Sequence, residues 1–328
     1  MNLLFSVWAL SFAAFSARAW GTQGNQAVGY IAMQFLAPKA RTFVATSLGA
    51  QYAFSLGPAA TWANAVRSSS AYEWSAELHY INAIDAAPKY CSVDQHDCTN
   101  GRCILTAIAN YTTRVVDTSL SSFQRQEALK FLDSFCGDLG QPLNVEAFEH
   151  GGRDITASCA GQQSNLYEVN SGLISQLLKR NYSQSVAKWV AVLVGRIKAG
   201  ARPWQPADGV LTRAPIQNGD YKTKTASWLS CSSTTQAEGP NSGRAVGDGQ
   251  ASSSASDITP LHCPLVWASE SNQLVCFDVL NYTSRDQDFC GGSYYDNAVK
   301  DIDIQVAKQG YRLAAWLNVL FDGSTHLP

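Results

Sequence analysis

The sequence lacks an excess of positive charge. Lysine and arginine together number 24 and aspartate and glutamate 26, so the formal net charge is −2, and only 15% of the residues are charged. Domains that hold nucleic acid over a broad surface by charge are usually clearly basic. The composition therefore excludes such a surface and still allows a local basic pocket.

Long hydrophobic runs are absent too. The run Leu3–Phe15 is too short to span a bilayer, no later segment reaches the roughly 18 apolar residues of a membrane helix, and no lipid-anchor tail is visible. Ala17-Arg18-Ala19 has the form of a signal-peptide cleavage site, although no Lys or Arg precedes the run. We expect residues 1–19 to be a signal peptide and Trp20 to begin a secreted, extracellular protein with no membrane partner. The alternative is a buried amino-terminal helix.

The cysteines and sequons agree with export. Nine cysteines fit an oxidising compartment. N-x-[ST] sequons occur at three positions, where we expect glycans: Asn110, Asn181 and Asn281.

Strand-like alternation is scarce, and helical periodicity dominates. At 46% hydrophobic residues, the chain has enough apolar sequence for a sizeable core. The pattern predicts a mostly α domain over 20–328, with a small hairpin arm near Arg153–Ser158. Apolar residues recur every three and four positions in Ala27–Leu36, Ile104–Val116, Ala128–Phe135, Leu173–Leu178, Val186–Ile197, Pro264–Leu280 and Asn297–Phe321.

One long segment has a different composition. Residues 201–260 are rich in Gly, Ser, Thr and Pro, and Ser232–Ser256 has almost no large apolar residue. Such a segment cannot bury enough surface to offset its ordering entropy. We interpret it as a low-complexity surface insertion within the domain.

Six short blocks of residues follow one another in a recognisable order. They are Trp20-Gly21, Ala60-Thr61-Trp62-Ala63, Leu78-His79-Tyr80-Ile81, Gly137-Asp138-Leu139-Gly140-Gln141-Pro142-Leu143, Asn165-Leu166 and Gly310-Tyr311-Arg312-Leu313-Ala314-Ala315-Trp316-Leu317. In this order they resemble the S1/P1 family of secreted, single-strand-specific three-zinc nucleases. The resemblance covers nearly the whole chain after residue 19, apart from the insertion.

The resemblance implies a fold and a chemistry. The fold is an all-α bundle similar to zinc-dependent phospholipase C. Family members cleave RNA and single-stranded DNA with three zinc ions, held by a terminal Trp, five His and three Asp. Carried over position by position, the ligands kept are Trp20, His79 and Asp138, and the ligand positions changed are Asn25, Asn64, Ser134, Asn144, Tyr167 and Ser171.

These changes lead to an expectation of lost catalysis. Neutral amides and hydroxyls are poor zinc ligands, and Tyr167 would ligate only as a phenolate. We expect no cofactor, or at most partial zinc, and no catalytic residue. The leading hypothesis is an inactive pseudonuclease that binds single-stranded nucleic acid, a nucleotide or a protein partner. The alternative is a residual metal-dependent endonuclease or 3′-nucleotidase.

Three further residues are candidates for nucleotide binding. Arg67 stands where the family has a cation near the scissile phosphate, so it would bind phosphate or form an ordinary salt bridge. Tyr80 and Asn82 match the family's contacts to a base, and the alternative for Tyr80 is a place in the core.

The resemblance also implies two disulfides, Cys91–Cys276 and Cys98–Cys103. From sequence position near the cleft we add Cys136–Cys159 as a third bridge. The pairing of Cys231, Cys263 and Cys290 stays open, and the odd number leaves one cysteine free or intermolecular.

Overall fold

The computed structural model describes residues 20–199, 228–229 and 262–327. The expected signal peptide and almost all of the expected insertion lie outside these ranges. The α-helices are α1 Gly21–Met33, α2 Pro38–Leu48, α3 Leu56–Ala59, α4 Trp62–Val66, α5 Ile104–Val116, α6 Ser122–Asp138, α7 Glu149–Gly152, α8 Leu166–Asn181, α9 Val186–Ala199, α10 His262–Leu274 and α11 Gly292–Asp322. Short 3-10 helices lie at Ala50–Tyr52, Glu73–His79, Gln95–Asp97, Thr99–Gly101 and Pro142–Asn144, and a π-helical turn at Val275–Val279.

The predicted all-α fold is confirmed, with the core built around α11 and α1. A Cβ added to Gly310 of α11 would lie 2.6 Å from the Cβ of Ile31 in α1, so a glycine is needed where these helices cross. The Trp316 indole donates a 2.8 Å hydrogen bond to Thr112 of α5. The carboxy-terminal helix therefore joins the first helix to the middle of the chain.

Helix α2 is the main helix that periodicity did not predict. Its first backbone N–H groups are satisfied from α11: Ala40 N donates to Asp322 Oδ2 at 2.7 Å, and Ala37 N donates to Asn318 Oδ1 at 2.7 Å. The first N–H groups of a helix have no partner within it, and here distant side chains supply one. A cap of this kind cannot be recognised from the local sequence.

Helix α6 carries Ser134 and Asp138, two of the expected ligand positions. A capping box starts it, in which the Ser121 hydroxyl and the Gln124 side chain each accept from the other residue's backbone N–H. The helix continues through Gly137 to Asp138. A Cβ on Gly137 would lie 2.7 Å from the Asn25 amide oxygen, so this glycine allows close approach of α1.

The hairpin arm lies slightly later than expected. Antiparallel strands β1 Thr156–Cys159 and β2 Gln162–Asn165 form it. Its first strand also contacts the chain near Cys290, because Phe289 N donates to Ser158 O at 3.0 Å.

That contact corrects the third disulfide. The two bridges implied by the resemblance, Cys91–Cys276 and Cys98–Cys103, are present. Cys159 is bonded to Cys290 and not to Cys136. Cys136 faces inward from α6 and is fully buried as a free thiol, while the hairpin lies against the Cys290 segment. Cys263 is disulfide-bonded as well.

Among the described residues, no helix has the length and apolar character needed to cross a bilayer.

Helix α11 carries two acids with limited access to water. Asp303 is buried and accepts 2.7 Å hydrogen bonds from the Trp189 indole and the Arg196 guanidinium. Asp301 has no such ion pair with any residue in the described part of the chain. Burial, and then the charge of Asp278, raise the pKa of Asp301 from 3.8 to about 7, against the opposing charges of Lys300 and Lys308.

We predict that Asp301→Asn stabilises the protein at about pH 8 and not at about pH 4. Because the folded-state pKa is raised, the carboxyl favours folding fully only below its ordinary pKa, and this contribution is lost as the pH rises through about 7. The expected gain in unfolding free energy at the higher pH is about 1–3 kcal/mol, measured by urea unfolding. Asp286→Asn, at an exposed acid, is the control. An equal effect of Asp301→Asn at both pH values would contradict the assignment.

Candidate functional site

A buried carboxylate, that of Asp138 at the end of α6, is the centre of the cleft. Its Oδ1 accepts from the Asn25 amide at 2.7 Å, and its Oδ2 lies 2.6 Å from His79 Nδ1 and 3.3 Å from the Ser134 hydroxyl. Asp138 and Ser134 are fully buried, and His79 is 2% exposed. The carboxylate is therefore satisfied by three protein side chains.

The geometry also assigns a role to each His79 nitrogen. A carboxylate accepts hydrogen bonds, so the nitrogen beside Asp138, Nδ1, carries a proton. His79 Nε2 is buried and has no hydrogen-bond partner among the described residues. The hydrogen bond to Asp138 therefore holds the ring in one orientation.

Asn144 and Tyr167 extend the network. The Asn144 amide donates to the Asp138 backbone oxygen at 3.0 Å, and the Tyr167 hydroxyl donates to Asn144 Oδ1 at 3.0 Å. The Arg153 guanidinium lies 3.7 Å from the centroid of the Tyr167 ring. Burial raises the pKa of Tyr167 although Arg153 and Arg67 lower it, so the phenol is neutral at pH 7.

The other expected ligand positions border this network. Trp20 is 1% exposed, and a Cβ on Gly140 would lie 3.1 Å from its indole nitrogen. The Ser171 hydroxyl accepts from the Gln141 side chain at 3.2 Å, in the turn after α6. Asn64, on α4, makes no side-chain hydrogen bond within the described part of the chain. The cluster thus joins Asn25, Ser134, Asn144 and Tyr167 to Asp138, and leaves Ser171 and Asn64 outside it.

The candidate nucleotide-binding residues lie next to the cluster. Ile81 N donates to the Asn144 backbone oxygen at 2.9 Å, which places the Tyr80–Asn82 segment at the cleft. The Tyr80 side chain is half-buried and is not part of the core, and Asn82 is exposed. Arg67, which is half-buried, lies close enough to Tyr167 to lower its pKa.

Asp133 is a residue that sequence reasoning missed. It is fully buried, and neither carboxylate oxygen has a hydrogen-bond partner within the described ranges. Burial raises its pKa well above the ordinary range, and the charge of Asp138 adds to the effect. Burial therefore disfavours the ionised form of this carboxyl. Its signal in the sequence is an acid within the apolar part of α6, next to Ser134.

A second cluster lies outside the cleft. Asp85, Cys91 and Glu146 place one ligand-type atom each within 4.8 Å of one another. Cys91 is in a disulfide and offers no thiolate. The Asn272 amide donates to Glu146 at 3.1 Å, and burial raises the pKa of Glu146 to about 7. The carboxyls of Asp85 and Glu146 are therefore the cation ligands left in this cluster, and that of Glu146 is partly protonated at neutral pH.

We predict that Asp138→Ala lowers the free energy of unfolding by about 2–4 kcal/mol. The change removes a buried acceptor and leaves Asn25 and His79 with unpaired polar groups. Chemical denaturation of the two proteins measures the difference. Asp286→Ala, at an exposed acid, is expected to change stability by less than about 0.5 kcal/mol. Equal, small effects of both changes would show that the network does not hold the cleft together.

Curated relatives share most of this chain. Nuclease PA3 of Penicillium sp and nuclease P1 of Penicillium citrinum are each 32% identical over 303 residues, which is 91% of this chain and 97% of each relative. Nuclease S1 of Aspergillus oryzae is 31% identical over 308 residues, 92% of this chain and 91% of the relative. Endonuclease 2 of Arabidopsis thaliana is 26% identical over 328 residues.

The family comparison corrects the expectation about cofactors. A sequence model of the S1/P1 nuclease family matches residues 20–322. Zinc is the cofactor of these nucleases, so the expectation of no cofactor, or at most partial zinc, is contradicted. The match spans the cleft, the hairpin arm and the carboxy-terminal helix, and the chain therefore belongs to the S1/P1 nuclease family.

Proposed function

We propose that this protein is a secreted, glycosylated pseudonuclease that keeps the family's cleft, has lost hydrolysis, and binds single-stranded nucleic acid or nucleotides there. The observation that carries the proposal is the closed hydrogen-bond network on Asp138. Both of its carboxylate oxygens are engaged by the neutral side chains of Asn25 and Ser134 and by His79.

The donor set supports loss of hydrolysis. Three zinc ions bring six positive charges, and a catalytic zinc needs about three good ligands and a water. Asp138 is the one carboxylate among the nine positions of the resemblance, and six of the nine are amides, hydroxyls or a neutral phenol. The residues present do not fit a three-zinc centre, so no hydrolytic step is derived through one.

Neutral replacements have their own physical logic. When imidazoles and carboxylates are packed together without full charge compensation, like charges repel each other and each charged group loses its hydration. Asn25 and Asn144 donate hydrogen bonds to Asp138, and the Tyr167 hydroxyl donates to Asn144. These neutral side chains reduce the cost of burying Asp138, because a buried polar group loses less free energy when it is hydrogen-bonded.

The residual binding groups support recognition of a nucleotide. Arg67 provides a charge for phosphate, with charge-assisted hydrogen bonds of about 1.5–3 kcal/mol. The half-exposed Tyr80 ring offers a face for one base, which contributes about 1–3 kcal/mol. Asn82 is exposed and offers both a donor and an acceptor. After the free-energy cost of association is subtracted, these contributions correspond to dissociation constants in the millimolar to high-micromolar range.

The exposure of the sequons and the presence of disulfides support secretion and glycosylation. The sequon asparagines Asn110, Asn181 and Asn281 are all exposed. The disulfides agree with an oxidising compartment.

The rival function is a metal-dependent nuclease that works with a reduced ligand set. The similarity to relatives named as nucleases favours it, as does the retention of Trp20, His79 and Asp138. A nuclease assay distinguishes the pseudonuclease from the metal-dependent nuclease.

We predict that the purified mature protein, with zinc added in excess, does not cleave single-stranded RNA or DNA above background. The matched variant restores the six changed positions together, as Asn25→His, Asn64→Asp, Ser134→His, Asn144→His, Tyr167→His and Ser171→Asp. We expect this variant to gain chelator-sensitive cleavage. Cleavage by the unmodified protein that is lost on chelation would establish the rival function.

We predict that Arg67→Ala and Tyr80→Ala each weaken binding of a short single-stranded oligonucleotide, by roughly threefold or more. Calorimetric titration at low salt measures the affinity, which is expected to fall as salt rises. Arg285→Ala and Phe277→Ala, at exposed residues, serve as matched controls. If neither cleft change affects binding beyond its control, the cleft does not bind the strand.

A further inference from the structure

A second recess lies outside the cleft, between α2, the amino-terminal half of α6 and the 3-10 helix at Ala50–Tyr52. Its volume is about 1100 Å³. The charged side chains that line it are Lys39, Arg125 and Lys130, and no carboxylate is among the lining residues. None of the cleft residues lines it. We call this recess the α2–α6 groove.

Lys130 is the most unusual residue of the groove. The residue is 3% exposed, yet its ammonium has no hydrogen bond or ion pair within the described part of the chain. The ammonium lies 3.7 Å from the Trp62 ring centroid and 5.5 Å from that of Tyr52. Burial lowers the pKa of Lys130, while the charge of Glu127 raises it. A buried cation without a hydrogen-bonded counter-charge is costly, and an anion in the groove would supply one.

Arg125 is fixed in the same groove. Its Nε donates to the Val115 backbone oxygen at 3.0 Å, and its guanidinium lies 5.0 Å from the Phe43 ring centroid. Phe43 in turn stacks on Phe321 at 4.0 Å. The other guanidinium nitrogens make no hydrogen bond to the described residues. A positioned guanidinium with free donors is suited to bind phosphate.

An exposed ring completes the groove. Phe123, the second residue of α6, is 63% exposed and contacts no other aromatic ring among the described residues. It offers an apolar face to a planar group, whereas the rings of Trp62 and Phe43 are already covered by cations. A ligand that uses all of these features carries an anionic group and a planar aromatic ring.

We propose that the α2–α6 groove is a binding site for a nucleoside monophosphate unit, with Lys130 and Arg125 on the phosphate and Phe123 against the base. The unit is either a free nucleotide or part of a single strand. The site is separate from the cleft and does not depend on the function proposed there.

The test uses the full mature protein carrying Arg67→Ala and Tyr80→Ala, so that cleft binding is weakened. Adenosine monophosphate, inorganic phosphate, adenosine and a short oligoadenylate are titrated separately and followed by NMR chemical shifts. We expect millimolar or tighter binding of adenosine monophosphate, weaker binding of inorganic phosphate, and no saturable binding of adenosine. If the ligand of the groove is a single strand, the oligoadenylate binds more tightly than the mononucleotide. If the ligand is a free nucleotide, the oligoadenylate binds no more tightly than the mononucleotide.

Two variants locate the site. Lys130→Met keeps the apolar stem and removes the ammonium, and is expected to weaken adenosine monophosphate binding at least tenfold. Phe123→Ala is expected to weaken it about threefold while leaving inorganic phosphate binding unchanged. Lys89→Met and Phe277→Ala, at exposed residues elsewhere, match the lost charge and the lost ring. Thermal melting checks folding, and Phe123→Ala, at an exposed residue, remains informative if Lys130→Met does not fold.

Three outcomes would overturn the proposal. They are no binding of adenosine monophosphate at millimolar concentration, equal binding of adenosine and its monophosphate, and groove variants that behave like their controls. Binding that is lost in the Arg67 and Tyr80 background would belong to the cleft alone.

Discussion

The burial of one carboxylate, that of Asp138, constrains the structure around it. An ionised side chain with no access to water must be neutralised or fully hydrogen-bonded. Here the partners come from three separate parts of the chain: Asn25 on α1, His79 at the end of a 3-10 helix, and Ser134 one turn earlier on α6. Satisfying Asp138 therefore fixes how α1, α6 and the His79 segment meet. Gly137 makes this possible, because any side chain there would collide with Asn25.

The same requirement links fold to function. Within an S1/P1 nuclease framework, the cleft is occupied by amides, hydroxyls and a neutral phenol that bond to one another. Within this network His79 Nε2 has no hydrogen-bond partner among the described residues. The Tyr80 and Asn82 side chains beside it are partly or fully exposed to solvent. The α2–α6 groove has the opposite character, because its buried cation, Lys130, has no hydrogen-bond partner among the described residues and lies against aromatic rings. The two places therefore differ in how their charge is balanced.

The sequence was sufficient for elements whose signals are local. Periodicity predicted Ile104–Val116, which coincides with α5, and the ordered blocks identified the family. Features that depend on distant contacts were missed. Helix α2 depends on caps from Asn318 and Asp322, and the bridge of Cys159 to Cys290 depends on where the hairpin lies. The hydrogen-bond partners of Asp138 also depend on tertiary contacts. The same holds for Lys130, which has no hydrogen-bond partner among the described residues. The sequence identifies the chemical groups, and the folded structure shows which of them are in contact.

The structure depends on the satisfaction of Asp138 by protein hydrogen bonds. The most direct measurement is a long-range ¹H–¹⁵N NMR spectrum of the His79 ring. We predict that Nδ1 carries a proton that is hydrogen-bonded to Asp138. A spectrum in which Nδ1 carries no proton would contradict this arrangement.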